Sequence, residues 1–135
     1  MLMTRGFKPP QYTVGDRVLR FVASTLKQSI KGKDVAARHG GEEFAVILPR
    51  TPLRAAIEVA EQLRLAVMKG ELIRRSTGEK YTRVTISIGV AALHNRTSPQ
   101  ALFEAADVCL YAAKRCGRNC VVGEKDERLL TAMAG

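Results

Sequence analysis

Two apolar segments around a glycine pair are the feature that most restricts how this chain can fold. "DVAARH" (residues 34–39) precedes Gly40–Gly41, and "EFAVILP" (43–49) follows it. Two such segments joined by residues without side chains predict a β-hairpin. The second strand alternates two apolar sets, Phe44, Val46 and Leu48 against Ala45 and Ile47. Because both sets are apolar, we expect both faces of that strand to be largely covered.

Helical and strand patterns alternate along the rest of the chain. Apolar residues at helical spacing predict helices over Gly15–Ile30, Thr51–Gly70 and Ser98–Gly117. The last two begin with Thr-Pro and Ser-Pro, so the hydroxyl residue is expected as the N-cap and proline as the first helical residue. "VTISIGVAAL" (84–93) predicts a central strand, and "NCVVGE" (119–124) predicts a last short one.

This order of elements predicts an α+β fold. The elements run α, β-hairpin, α, β, α, β, with a candidate strand at the start of the chain and a frayed or helical tail over 125–135. Helices are expected to cover one or both faces of a mostly antiparallel central sheet. A split βαβ of ferredoxin type, extended by further elements, fits the pattern.

Composition limits the class of protein. A chain of 135 residues with 46% apolar and 26% charged residues is expected to form one globular domain. It has no apolar stretch long enough to cross a bilayer and no signal-peptide pattern at residues 1–10, so we expect a cytoplasmic location. Cys109, Cys116 and Cys120 form no C-x-x-C pair, and free thiols are expected.

The charge of the chain suits an anionic partner. The net charge is +9, and residues 1–40 carry eight lysines and arginines against Asp16 and Asp34. Nucleic acid, a membrane surface or a nucleotide would match this balance, and so would a solvated basic face without a partner. Nucleic acid is disfavoured, because a base-stacking sheet needs exposed aromatics and the aromatic content is 5% with no tryptophan.

The two acids after the glycine pair need a partner. Glu42 and Glu43 stand at the mouth of an apolar strand, and a buried charge is costly unless it is paired. The bare turn at Gly40–Gly41 lets a bulky anion approach the backbone, and carboxylates are ligands that Mg²⁺ prefers. A magnesium site for a nucleotide is therefore one interpretation. A polar hairpin tip with solvated acids is the other.

Several motifs resemble one family. "RHGGEEF" (38–44) resembles the signature of GGDEF domains, the diguanylate cyclases, in its GGEEF form. Similar matches occur at "VGDRVLRFVASTL" (14–26), "VTISIGVA" (84–91) and "LFEAADVCLYAAKRCGRNCVV" (102–122). The chain is identified as a single domain of this family over 1–135, with its best match over 14–122. The resemblance implies a nucleotide cyclase-like βααββαβ core.

The resemblance also implies a reaction. The family condenses two GTP molecules into cyclic di-GMP and pyrophosphate for bacterial second-messenger signalling, with Mg²⁺ or Mn²⁺ as the metal. Each GTP is held by one of two facing domains, so a second GGDEF domain is an expected partner in a homodimer. A sensor or receiver domain is a further expected partner in a full-length protein. Nucleic acid is not expected as a partner, and no membrane segment is expected.

Site residues follow from the resemblance by motif position. The expected metal ligand is Glu42, the expected catalytic pair is Glu42 and Glu43, and the expected GTP-binding residues are Asp16, Gly40, Gly41, Lys114 and Arg118. Asp16 matches the acid that pairs with the guanine edge. Lys114 and Arg118 match the cations that hold the triphosphate, although an exposed basic helix end would have the same sequence.

The start of the chain departs from the family pattern. Met3 and Arg5 stand where the family has the two aspartates of its first strand, the first of which is the other metal ligand. We also expect this chain to lack the helix that usually precedes the strand. The loop before Asp16 is four residues short, and Tyr12 replaces a histidine. A catalytically impaired module that binds GTP or a partner protein as a regulatory domain is therefore the alternative function.

A remnant of an inhibitory site precedes the hairpin. Many family members carry R-x-x-D there, and this chain has Lys31 and Asp34. Because lysine lacks the planar two-pronged guanidinium, we expect weak binding of cyclic di-GMP at this position.

Overall fold

Five strands and four helices make up the described part of the chain. The computed structural model describes residues 2–5, 15–29, 35–38, 43–70, 84–93 and 98–134, without the side chains of 2–5, 15–19, 35–38, 133 and 134. The strands are β1 (Leu2–Arg5), β2 (Val35–Arg38), β3 (Phe44–Ile47), β4 (Ser87–Val90) and β5 (Val121–Gly123). The helices are α1 (Gly15–Ser29), α2 (Leu53–Lys69), α3 (Pro99–Arg115) and α4 (Arg128–Ala134). Within these ranges no helix is both long and apolar enough to cross a membrane.

The strands form one sheet in the order β2-β3-β1-β4-β5. Its pairings are antiparallel except for β4 with β5, which is parallel. The first four strands have the order of a split βαβ, with β1 in the centre. The predicted α+β fold is confirmed. The expected core has two helices between the first strand and the hairpin; among the described residues that connection holds α1, and residues 6–14 lie outside the description.

Helices cover both faces of the sheet. On one face, α1 and α2 pack against the larger core, which includes Leu26, Leu63 and Ile88. On the other face, α3 packs against Ala91 through Leu110, and α4 packs against α3. Because successive strand residues point to opposite faces, β4 supplies side chains to both layers.

The two strands of the predicted β-hairpin are present, and the predicted turn at Gly40–Gly41 lies outside the described residues. Strands β2 and β3 pair antiparallel with Val35 opposite Ile47 and Arg38 opposite Phe44, so residues 39–43 connect them. The predicted cover of both faces is wrong at Ile47, which is 47% exposed. Among the described residues, the pairing of β1 with β3 runs from Thr4–Phe44 to Leu2–Val46 and does not include Ile47.

The two predicted N-caps differ in outcome. The Ser98 side chain accepts a hydrogen bond from the Ala101 N–H at 3.2 Å, which confirms the N-cap of α3. The prediction for Thr51 is wrong, because Pro52 is the N-cap of α2 and is extended, without a side-chain cap. The Thr51 hydroxyl instead donates to the Pro49 carbonyl at 3.0 Å, a local bond that draws it away from the helix.

An arginine fastens the tail to the edge strand. Arg128, the first residue of α4, donates to the Val121 carbonyl of β5 at 2.6 Å and to the Asp126 carboxylate at 2.6 Å. The side-chain hydrogen bond from Arg128 lowers the pKa of Asp126, and the same bond raises the pKa of Arg128. The tail is therefore helical and tied to the sheet.

Gly89 is a position in the sheet where the backbone of α3 comes very close. A Cβ added there would lie 2.3 Å from the Ala106 carbonyl oxygen and 2.3 Å from the Leu110 nitrogen, both backbone atoms of α3. We expect Gly89→Ala to lower the free energy of unfolding by about 2–3 kcal/mol, because α3 must move away from β4. Urea denaturation measures this change.

Gly123→Ala is the matched control. Its added Cβ would meet the Ile57 Cδ1 at 2.6 Å, the flexible end of a side chain. We expect it to cost less than half as much as Gly89→Ala. Equal losses in the two variants would contradict the close packing of α3 on β4.

The Asp126–Arg128 pair makes stability depend on pH. The folded-state pKa of Asp126 is lowered. Its contribution to the free energy of unfolding is therefore present above the unfolded pKa of about 3.9 and is lost as pH falls through the lowered value. We expect Asp126→Asn to be less stable by about 0.5–1 kcal/mol at pH 7, a small value because the pair is partly open to solvent. Thermal melts from pH 7 to pH 2.5 should converge at the acid end. Glu127→Gln, at an exposed neighbouring carboxylate, is the control, and the same pH-dependent loss there would contradict this assignment.

Candidate functional site

Several chain segments that carry charged residues lie together at one end of the sheet, where strands begin or end. Because β3 and β4 both run antiparallel to β1, their first residues lie beside the end of β1. Strand β5 is parallel to β4, so the turn between α3 and β5 lies at the same edge. This end of the sheet is formed by the end of β1, the starts of β3 and β4 and the α3–β5 turn. We call it the signature edge.

Glu43 lies at the signature edge, directly before β3. Its side chain is half-buried, and the next residue, Phe44, is paired with Thr4 of β1. Continuing the same register places Arg5 opposite Glu43. Met3 lies deeper, paired with Ala45 on one side and Gly89 on the other. The residue of β1 that lies directly opposite Glu43 is therefore Arg5.

The predicted phosphate-binding cations lie at the same edge. Lys114 is half-buried in the last turn of α3, and Arg118 is exposed in the turn that follows. Asp16 is the second residue of α1, and its side chain is outside the description. The other predicted site residues, Gly40, Gly41, Glu42, Lys31 and Asp34, lie outside the described residues.

The turn after α3 has an unusual backbone. Gly117, Arg118 and Asn119 have consecutive positive φ values of 104°, 64° and 47°. The Arg118 N–H donates to the Ala113 carbonyl at 3.0 Å, which is the closing bond of a Schellman motif with glycine at C′. The predicted end of the helix at Gly117 is confirmed. Positive φ is unfavourable for arginine by roughly 1–2 kcal/mol, so neighbouring contacts must hold the turn.

Asn119 supplies such contacts. Its N–H donates to the Ser87 hydroxyl at 3.2 Å, and its side-chain oxygen accepts from Arg64 Nη1 at 3.1 Å. Its side-chain NH₂ donates to the Met68 sulfur at 3.5 Å. These residues on α2 and β4 were not among the predicted site residues. The sequence signal that could have found them is the pair Glu61 and Arg64, three apart on α2 and bonded at 2.9 and 2.8 Å.

The cysteines are free thiols, as predicted. Cys109 is buried, Cys116 is exposed and Cys120 is half-buried. The Cys120 thiol donates to the Ala113 carbonyl at 3.4 Å, and burial raises its pKa.

The described residues fit a metal site only in part. Glu43 is a hard oxygen donor of the type that Mg²⁺ takes, and it stands at the mouth of a strand. No group of three or more His, Cys, Asp and Glu side chains that could hold a metal occurs in the ranges given above. Arg5, not an acid, lies opposite Glu43. Within the described ranges this position therefore has one carboxylate, whereas the family pattern has carboxylates on two strands.

Comparison with known proteins identifies the family. The family model described as "Diguanylate cyclase, GGDEF domain" matches residues 12–120. The chain is 42% identical over 114 residues to the response regulator PleD of Caulobacter vibrioides, covering 84% of this chain and 25% of PleD. It is 40% identical over 111 residues to the diguanylate cyclase DgcM of Escherichia coli, covering 82% of this chain and 26% of DgcM. The chain therefore belongs to the GGDEF domain family.

A solved structure agrees with this assignment. The GGDEF domain of DgcB from Caulobacter crescentus, in complex with c-di-GMP, has a TM-score of 0.84 and 35% identity, covering 93% of this chain and 77% of that one. The predicted family and fold are confirmed. The chain spans about a quarter of the length of the curated relatives named above. The family match starts at residue 12, so β1 lies before it.

Proposed function

We propose that this chain is a diguanylate cyclase domain that binds GTP at the signature edge and, in a pair of such domains, condenses two GTP into cyclic di-GMP and pyrophosphate. The observation that carries the proposal is the sheet topology, which brings Glu43 and the turn with Arg118 to one edge in a member of the GGDEF family. An acid for a metal and cations for a triphosphate then lie at the same end of the sheet.

The chemistry assigns a task to each group. The 3′-hydroxyl of one GTP attacks the α-phosphate of the other in line, and pyrophosphate leaves. A divalent ion, Mg²⁺ or Mn²⁺, would be held by Glu42 with Glu43 and would supply stabilisation of the developing phosphoryl charge and a lowered pKa of the attacking hydroxyl. Lys114 and Arg118 would bind the triphosphate, and Gly40–Gly41 would let the nucleotide approach the backbone.

Asp16 would select the base. A carboxylate can accept from the N1 and N2 hydrogens of guanine together, and adenine does not offer this pair of donors. Asp16 stands at the start of α1, beyond the short loop that follows β1. Since that loop lacks four residues of the family pattern, we propose that guanine selection is weaker than in the family.

The residues of β1 would limit catalysis. Residue 5, level with Glu43, is an arginine, so this strand adds positive charge where a carboxylate would help to hold the metal. Mg²⁺ gives up its water reluctantly, and fewer anionic ligands mean weaker binding. We therefore propose poor or no turnover with retained GTP binding. The same observation favours the alternative, an impaired GGDEF module that binds GTP or a partner protein as a regulatory domain.

The cellular location of the domain follows from its proposed substrate. GTP is a cytoplasmic nucleotide, so the domain would act in the cytoplasm, facing a second copy of itself. A sensor or receiver domain in a longer protein would control the pairing. The name of the relative PleD, a response regulator, supports a receiver as the controlling domain.

Glu42 is tested by substitution. We expect Glu42→Ala to abolish any cyclic di-GMP formation that this chain retains, a loss of about a hundredfold or more, and to remove the Mg²⁺ dependence of GTP binding, because it removes the main metal ligand. We expect the melting temperature to stay within a few degrees, since the residue belongs to the hairpin tip. Mass spectrometry of the product and the Mg²⁺ dependence of GTP binding give the two measurements. Glu58→Ala, at an exposed glutamate of α2, is the matched control. Equal losses in both variants, or unfolding of Glu42→Ala, would contradict the role.

The limiting role of β1 is tested by placing an acid at each of two positions in this strand. We expect Arg5→Asp to raise cyclic di-GMP formation by about tenfold or more, because it places a carboxylate level with Glu43. Met3→Asp should not raise it and should destabilise the sheet, because residue 3 is paired on both sides inside it. Product formation from GTP and Mg²⁺, with a version that also carries the full-length loop, is the measurement. Equal and robust activity in the unaltered chain and in both variants would show that β1 does not limit turnover.

A further inference from the structure

Arg64 lies on α2, is not among the residues assigned to the nucleotide, and bonds to Asn119 in the turn that carries Arg118. Its side chain is 17% exposed, and its Nη1 donates to the Asn119 side-chain oxygen at 3.1 Å and to the Asn119 carbonyl at 3.5 Å. The Nε donates to both carboxylate oxygens of Glu61 at 2.9 and 2.8 Å. The guanidinium is thus fixed at one end by its own helix and bonded at the other to the turn.

Asn119 is fastened from two sides. Besides the bond from α2, its N–H donates to the hydroxyl of Ser87, a fully buried residue of β4. The next carbonyl, that of Cys120, accepts from the Ile88 N–H at 3.0 Å. A surface turn would not need this number of contacts to close a helix, because the glycine at C′ already does so.

Arg118 is held differently from its neighbours. Its backbone is in the left-handed region at φ 64° and is bonded to Ala113, whereas its exposed side chain makes no hydrogen bond or ion pair with the described residues. An arginine keeps this conformation only where the surroundings impose it. The contacts of Asn119 impose the backbone and leave the guanidinium available to a ligand.

We propose that Arg64, acting through Asn119, is a positioning residue for Arg118 and thereby sets how tightly this chain holds the triphosphate of GTP. The inference rests on the proposed function. A guanidinium binds phosphate through two parallel bonds, which require a well-defined position. If the turn were released, its ordering would have to accompany each binding event and would weaken it. Loss of Arg64 should therefore reduce affinity without removing a group that touches the nucleotide.

A double-mutant cycle tests the link. Calorimetry with the α,β-methylene analogue of GTP and Mg²⁺ should show binding about tenfold weaker in Arg64→Ala and weaker still in Arg118→Ala. In the Arg118→Ala background, Arg64→Ala should cost less than about twofold. Arg54→Ala removes the same charge from the first turn of α2 and should change binding less than about twofold. An undiminished effect of Arg64→Ala without Arg118 overturns the proposal.

Amide hydrogen exchange gives a readout that does not depend on the nucleotide. Arg64→Ala should speed exchange at the Arg118 and Asn119 amides by about tenfold, and Arg54→Ala should not. If the unaltered chain does not bind the analogue, the proposed function is wrong, while exchange still reports whether Arg64 holds the turn. Unchanged exchange overturns the inference whatever the nucleotide does.

A second variant covers a failure of Arg64→Ala to fold. Asn119→Gly keeps positive φ accessible and removes the side-chain acceptor of the shorter Arg64 bond, while the backbone carbonyl at 3.5 Å remains. It should weaken analogue binding and speed exchange at Arg118 as Arg64→Ala does. Binding and exchange like those of the unaltered chain would overturn the proposal.

Discussion

The pairing of β1 on both of its sides is the constraint on which the rest of the molecule depends. Every backbone N–H and C=O in the middle of a sheet needs a partner, and β1 finds its partners antiparallel on β3 and on β4. That double pairing joins the hairpin to the β4–β5 half of the sheet. It also aligns the start of β3 with the start of β4, so the signature edge exists only because a four-residue strand lies between them.

Close packing on one face then places the C-terminal end of α3 at this edge. Gly89 lets the backbone of α3 lie directly on β4, and the helix ends in the turn over Gly117–Asn119 that returns the chain to β5. The turn stores backbone strain, and the bond that Asn119 donates to Ser87 and the bond that it accepts from Arg64 offset it. Packed elements on both sides of Arg118 thus support a turn whose arginine side chain is exposed.

Sequence patterns predicted much of the framework because those signals are local. Apolar periodicity and the glycine pair gave the helices and the hairpin, and the serine cap of α3 and Gly117 at its end follow from side-chain chemistry within a few residues. Two local predictions failed for identifiable reasons. Thr51 bonds to the Pro49 carbonyl instead of capping α2, and Ile47, which is 47% exposed, lies beyond the described pairing of β3 with β1.

The sequence by itself determined the family, the α+β class and the identity of the charged groups, since the GGEEF signature and the spaced motifs around it are properties of the chain. It could not determine the register of β1, because a four-residue strand can pair in several registers with similar local energy. Only the tertiary structure decided that residue 5 and not residue 3 is level with Glu43. The contact between Arg64 and Asn119, 55 residues apart, is likewise a product of the fold, because helix and turn meet only after α2 has packed on the sheet.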